Sequence, residues 1–268
     1  MTDLSPLVPS ATRHQRSRGE VVATWQAGRL DRLRQAGSAK AIALPGPELV
    51  ILNTSGGLTG GDRLSVDLTV GDGCTVTATT QTAERFYRAA EGTAHVAISA
   101  RVGAGARLDW LPQETILFQG CAVNRHTEID LAPDAACLMA ETLVLGRAAM
   151  GETLTRIALR DWRMIRRGGR PVHLDPLVLD AARLGPSSAG LAGARAVSTV
   201  VLCAPGAEDA ITPARATLTE PGVTAAASGF DGRLIVRLMA PDGWPLRRQL
   251  LRLLGALRPA PLPRVWQS

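Results

Sequence analysis

Four times along this chain a run of alternating apolar residues meets a tight turn and is followed by a second β-prone run. Leu64, Val66, Leu68 and Val70 alternate with Ser65, Asp67 and Thr69; Gly71-Asp72-Gly73 turns the chain, and Thr75 to Thr79 returns. Val96 to Val102 runs into Gly103-Ala104-Gly105 and then Arg107 to Leu111. Ile129 to Leu131 runs into Ala132-Pro133-Asp134 and then Cys137 to Leu145, and Ile157 to Ile165 into Gly168-Gly169 and then Val172 to Leu179. The turns fall roughly 30 residues apart, a period that points to stacked β-layers, each burying its apolar face on the next. An acid follows each turn, at the far end of the returning strand or just past it: Glu84, Glu114, Glu141 and Asp175. Layers stacked in register would line these carboxylates into a column. Strand-end acids facing solvent would give the same pattern.

The stretch Asn53-Thr54-Ser55-Gly56-Gly57-Leu58-Thr59-Gly60-Gly61-Asp62 packs two glycine doublets and an acid directly after the apolar run Leu49 to Leu52. Glycine doublets after a buried strand mark backbone that takes positive φ or passes close to something else. A phosphate is excluded as that partner. In a phosphate loop the residue after Gly61 is lysine, and here it is Asp62, which repels phosphate. The dinucleotide spacing of glycines is absent too.

Composition narrows the function classes. Aromatic residues make up only 3 % of the 268 residues, which argues against a carbohydrate cleft or a single-strand nucleic-acid platform, both built on stacking. The formal net charge of +6 invites a nucleic-acid reading, but the basic residues are spread through the chain and interleaved with acids, as on a solvated surface. Lys40 is the only lysine among the 30 basic residues, and Ala39-Lys40-Ala41 offers no catalytic motif. Cys74, Cys121, Cys137 and Cys203 contain no closely spaced pair, and His14, His95, His126 and His173 are equally scattered, so no zinc site is expected. Met1 to Glu20 lacks an apolar core and no run approaches a membrane span, so the chain is expected to be cytoplasmic with reduced thiols.

Downstream, Ala207 to Leu218 reads as a helix limited by Pro213, and Arg195 to Leu202 and Arg233 to Met239 as strands. Trp244 to Leu257 reads as an amphipathic helix. Leu246, Leu250, Leu253, Leu254 and Leu257 fall on one side, Arg247, Arg248 and Arg252 on the other, and Pro259, Pro261 and Pro263 end it. Gly185 to Gly193, rich in Ser, Ala and Gly, is expected to be a flexible loop.

An ordered set of motifs then resembles a known family. Leu33-Arg34-Gln35-Ala36-Gly37-Ser38-Ala39-Lys40, Leu52 to Arg63 and Thr80-Gln81-Thr82-Ala83-Glu84-Arg85 are similar to the urease accessory protein family UreD, also called UreH. So are Trp110-Leu111-Pro112-Gln113-Glu114-Thr115-Ile116-Leu117-Phe118, Gly146-Arg147-Ala148-Ala149-Met150-Gly151-Glu152 and the close Pro261 to Trp266. The resemblance runs in consistent order from about residue 20 to the end. It implies one β-rich domain over 21–268, a helically coiled, β-helix-like stack of strand layers with a few helices, after a tail over 1–20 that is expected to be flexible. It also implies a non-enzymatic scaffold that binds apo-urease and the accessory protein UreF, in paired assemblies with UreF. UreF in turn carries the GTPase UreG, which brings nickel, and the family is proposed to pass nickel through an internal tunnel. Nickel would be transient cargo, with no intrinsic cofactor, no nucleic acid and no membrane involved.

Asp62, Glu84, Glu114 and Glu152, which lie in the matching motifs, and Glu141 are the candidate path residues. Sparse carboxylates suit a conduit, because imidazole and thiolate grip nickel too tightly to release it. Each acid has a structural alternative; Asp62 has the position to cap turn amides. A competing reading is a β-helical hydrolase using Asp62 and Glu84 as acid and base, opposed by the absence of a nucleophile motif: Ser187 misses the G-x-S-x-G elbow. A third, an arginine-driven nucleic-acid binder, predicts steep salt dependence.

Overall fold

The computed structural model describes residues 15–185 and 190–267. Residues 1–14 of the expected tail and 186–189 of the expected loop, with Ser187, lie outside them. The chain opens with β1 (Arg18–Gln26), β2 (Arg29–Gly37), β3 (Ala39–Leu44) and β4 (Glu48–Asn53). It continues through β5 (Arg63–Val70), β6 (Thr75–Thr80), β7 (Glu84–Phe86), β8 (Ala94–Val102), β9 (Arg107–Leu111) and β10 (Thr115–Leu117). Then come β11 (Ala122–Leu131), β12 (Ala136–Leu145), β13 (Ala158–Arg167) and β14 (Arg170–Asp180). The last part holds β15 (Ala196–Cys203), α1 (Ile211–Thr217), β16 (Thr224–Phe230), β17 (Arg233–Ala240) and α2 (Gly243–Leu257).

The ~30-residue period of the sequence is the pitch of a β-solenoid of about four turns. Each turn contributes one strand to each of two facing sheets. In the first, β1, β5, β8, β11 and β13 run parallel, with β2 and β14 as antiparallel edges. In the second, β4, β6, β9 and β12 run parallel, and β15, β17 and β16 continue it antiparallel. A short third face is built from β7, β10 and the end of β12. There Leu58, Phe86, Leu117 and Leu145 stand in one ladder, all buried.

Parallel pairing in register sets like position above like position, so inward residues form rows running across the strands. One row of the first sheet is Leu68, Ala100, Ile129 and Ile165, a continuous apolar stripe. The outer face of the second sheet is covered by α1, α2 and the C-terminal tail. Strand β12 is consequently buried on both faces and reads as a nearly unbroken apolar run.

Helix α2 starts where Asp242 accepts a hydrogen bond from Trp244 N (3.0 Å), and it buries the leucines the spacing indicates. The helix expected over Ala207 to Leu218 is divided into a 3-10 turn, Ala207–Ala210, and α1. Pro213 lies in the first turn of α1, where its missing N–H costs nothing, so it helps start this helix rather than limiting it. Asp175, expected near the end of a strand, sits inside β14.

Candidate functional site

Two inward rows of the first sheet change character along the solenoid. Leu64 and Val96 are followed by Arg125 and Asp161; Val66 and Ile98 are followed by Thr127, Arg163 and Asp175. On the facing second sheet, Glu141, Thr199 and Arg237 form a row of their own. The early turns therefore enclose an apolar interior and the late turns a polar seam.

The seam is an ion-pair ladder. Arg125 Nη1 meets Glu141 Oε2 at 2.8 Å, and Arg125 Nε donates to Asp161 Oδ1 at 2.9 Å. Arg163 Nε donates to Asp161 Oδ2 at 3.0 Å, Arg163 Nη1 reaches Asp175 Oδ2 at 3.5 Å, and Arg237 Nη2 donates to Asp175 Oδ1 at 2.8 Å. Three carboxylates balance three guanidiniums. The side chains of Asp161, Arg163 and Arg125 are 0 %, 2 % and 6 % exposed, so each charge is held by its partners and not by solvent. Burial alone would raise the Asp161 carboxyl; the two guanidiniums outweigh it and hold the group below the usual range. Trp110 Nε1 completes Glu141 from the same interior, donating to Oε1 at 2.8 Å.

At one end the ladder borders a cavity of about 100 Å3 lined by Asn53, Glu84, Trp110, Thr115, Arg125 and Glu141. Glu84 is the member in no ion pair: Asn53 Nδ2 donates to its two oxygens at 3.2 and 3.3 Å, Arg85 N donates to Oε1 at 3.2 Å, and the Arg85 charge acts on it only at longer range. Burial pushes its carboxyl up to about 7, and those donors pull back only part of the way. At the other end Asp175 and Arg237 line an open groove of about 560 Å3 between β14 and the strands β15 and β17. Two inward polar atoms along the seam, Thr127 Oγ1 and His173 Nε2, are buried without a hydrogen-bond partner from the protein. Unpaired buried polar groups mark an interior that takes small polar species rather than apolar packing. Burial holds the His173 imidazole neutral, lowered to about 4.

The five candidate acids separate. Glu84 and Glu141 share the cavity. Glu114 does not join them: Thr115, one residue on, is the residue opposite Glu84, so Glu114 has the opposite parity and lies 3.7 Å from Arg247. Glu152 pairs with Arg147 at 3.0 Å, and that contact lowers its carboxyl. Asp62 is a cap. It accepts from Ser17 N and Thr59 N, both at 2.8 Å, and is buried. Asp62→Ala is expected to cost about 2 kcal/mol in thermal or urea unfolding, because two backbone amides lose their acceptor.

Asp62 and Glu84 line different hollows, so the acid–base pair of a hydrolase is not assembled. Gly57 and Gly60 serve close approach, while Gly56 takes a positive φ of 77°. A Cβ on Gly57 would stand 2.8 Å from Arg85 O, and one on Gly60 2.1 Å from Glu91 O. Among the described residues no three His, Cys, Asp or Glu side chains gather to hold a metal, and no cysteine lines the cavity or the groove. Burial pushes the thiols of Cys121 and Cys203 up to about 12 and about 11. No helix among them is long and apolar enough to cross a membrane.

Comparison with known proteins places this architecture. The family model described as UreD urease accessory protein matches residues 15–267. A urease accessory protein UreD from Cereibacter sphaeroides is 58 % identical over 275 residues, covering 99 % of this chain and 100 % of the relative. The Paracoccus denitrificans protein of that name is 52 % identical over 262 residues, 95 % of this chain and 94 % of the relative. One from Rhizobium leguminosarum bv. trifolii is 44 % identical over 272 residues, 97 % and 98 % of the two chains. These relatives are named as accessory proteins and not as catalysts. With the match extending over nearly the whole solenoid and its C-terminal cover, this chain belongs to the UreD family of urease accessory proteins.

Proposed function

We propose that the chain is a non-catalytic scaffold of urease maturation. It binds apo-urease and UreF, receives nickel from UreG through UreF in a GTP-dependent step, and conducts the ion through its interior to the urease site. The observation that carries this reading is the polar seam, which spans a β-solenoid interior from a carboxylate-lined cavity to an open groove. Oxygen ligands suit transit, because they hold a first-row dication less tightly than imidazole or thiolate and let it go. Glu84 supplies a carboxylate engaged in no ion pair, and Thr115 a neutral oxygen beside it. Nickel here is cargo.

The test is urease activity and urease nickel content in cells carrying the urease and accessory genes, with and without this chain. Activity is expected to depend on the chain. Glu84→Ala is expected to lower it at least tenfold while UreF and apo-urease still co-purify with the variant. Full activity without the chain would end the maturation role, and full activity with Glu84→Ala would take Glu84 out of the path.

A further inference from the structure

The ladder poses a physical question for a cation conduit. Two carboxylates facing one small cavity hold a divalent ion more firmly than one does, and an ion held too firmly is not delivered. Yet one of the two, Glu141, already carries a counter-ion: Arg125 Nη1 at 2.8 Å. Arg125 is not free to leave. Its Nε and Nη2 are forked onto Asp161, and its Nη1 also donates to Thr115 Oγ1 at 3.0 Å. Thr115 is in turn the register partner of Glu84 on the neighbouring short strand. The guanidinium is thus fixed in the cavity wall against Glu141, anchored from behind by an aspartate with no exposed side-chain surface. A dication entering the cavity meets this positive charge within a few ångströms, in an interior that screens it poorly.

Resting on the conduit reading above, we infer that Arg125 is the internal counter-ion that keeps the cavity from trapping a divalent cation. It screens Glu141, so that Glu84 alone holds the ion, weakly and briefly. Asp161 and Arg163 position Arg125 for this task, and Thr127 and His173 leave polar, unpaired atoms along the onward seam.

The experiment is nickel binding to the purified full chain, with Ni2+ alone as the probe, by isothermal titration and equilibrium dialysis. The informative variant is Arg125→Met combined with Asp161→Asn, which removes one positive and one negative charge and leaves Arg163 paired with Asp175. It is expected to bind one nickel ion at least tenfold more tightly than the wild type and to release it correspondingly slowly. Adding Glu141→Gln to that pair is expected to return the affinity to the wild-type level. A folded double variant that binds no more tightly overturns the inference, as does a gain that survives Glu141→Gln.

Should the double variant fail to fold, Glu141→Gln alone decides. Trp110 Nε1 can still donate to the glutamine oxygen, and because Glu141 is already screened the wild-type affinity should change less than twofold. A tenfold loss would show that Glu141 was a working ligand all along and would sink the idea. Failure of the conduit reading looks different: urease then activates without the chain, whatever the binding series shows. Failure of the counter-ion role leaves activation dependent on the chain and the binding series flat.

Discussion

Asp161→Ala is expected to destabilise the fold by about 3–5 kcal/mol and to lower the unfolding midpoint by roughly 10 °C, read by circular dichroism. Asp161 is the one carboxylate shared by Arg125 and Arg163, and none of its side chain is exposed. Truncation leaves two guanidiniums facing each other in the interior with Glu141 and Asp175 as their remaining partners. Asp161→Asn keeps the shape but not the charge and should lose nearly as much. The charge-balanced pair Arg125→Met with Asp161→Asn should recover part of the loss, Glu141 then keeping only the Trp110 indole as its partner. A midpoint shift under about 3 °C for Asp161→Ala would mean that water reaches the seam freely and the ladder is no strut. The same group governs acid stability. Its folded carboxyl lies below the ordinary value, so its contribution is complete above the unfolded pKa of about 3.9 and is lost as pH falls below it.

The second large effect is a pH dependence hidden by compensation. Glu84 is raised to about 7, so its protonated form is the one the fold favours. That contribution is present at low pH and is lost as pH rises from about 4.5 to about 7, by about 3 kcal/mol. His173 is lowered to about 4, so the fold favours its neutral form. Stability from His173 is complete above the unfolded value near 6.5 and is lost, by a similar amount, as pH falls from there to about 4. Over the shared window the two slopes oppose, and the wild-type curve should be nearly flat. Glu84→Gln is expected to leave a protein whose stability rises with pH between about 4.5 and 6.5. His173→Gln is expected to leave one whose stability falls as pH climbs to about 7. Urea unfolding at pH 5, 6, 7 and 8 reads both, and parallel curves for the two variants would contradict the assignment.

How much of this was legible in the sequence depended on whether a residue announces its own face. Leu64, Val66, Leu68 and Val70 alternate against polar neighbours, and Gly71-Asp72-Gly73 ends the run, so strand, turn and period could be read together. The leucines of α2 were equally plain. The three-residue strands β7 and β10 were not, because three residues carry no periodicity. Nor was the hairpin of β1 and β2, because Arg29, Arg32 and Arg34 leave β2 with little apolar alternation.

The seam was hidden for a different reason. Arg125 lies between Asn124 and His126, and Asp161 between Arg160 and Trp162, so inward and outward positions both look exposed. Only the pairing of strands some 36 residues apart reveals that Arg125 faces Asp161 inside. The carboxylate column failed at Glu114 through one residue of parity, which no spacing in a degenerate repeat fixes. The residues carrying the family resemblance, by contrast, include one cavity acid, Glu84, but neither Glu141 nor the arginine paired with it.

Closure of the roof over the second sheet has to wait for the last turn of the tail to be made. Trp266 Nε1 donates to Leu111 O at 3.0 Å, joining residues 155 positions apart, and the indole sits among the leucines that roof the second sheet. A ribosome adding about 5–20 residues per second takes on the order of ten seconds to travel that distance. Throughout that interval Leu111, and later Leu138 and Leu234, stand without their roof. The newborn solenoid therefore shows a wide greasy flank to its surroundings, and a chain cut short before α2 would keep showing it.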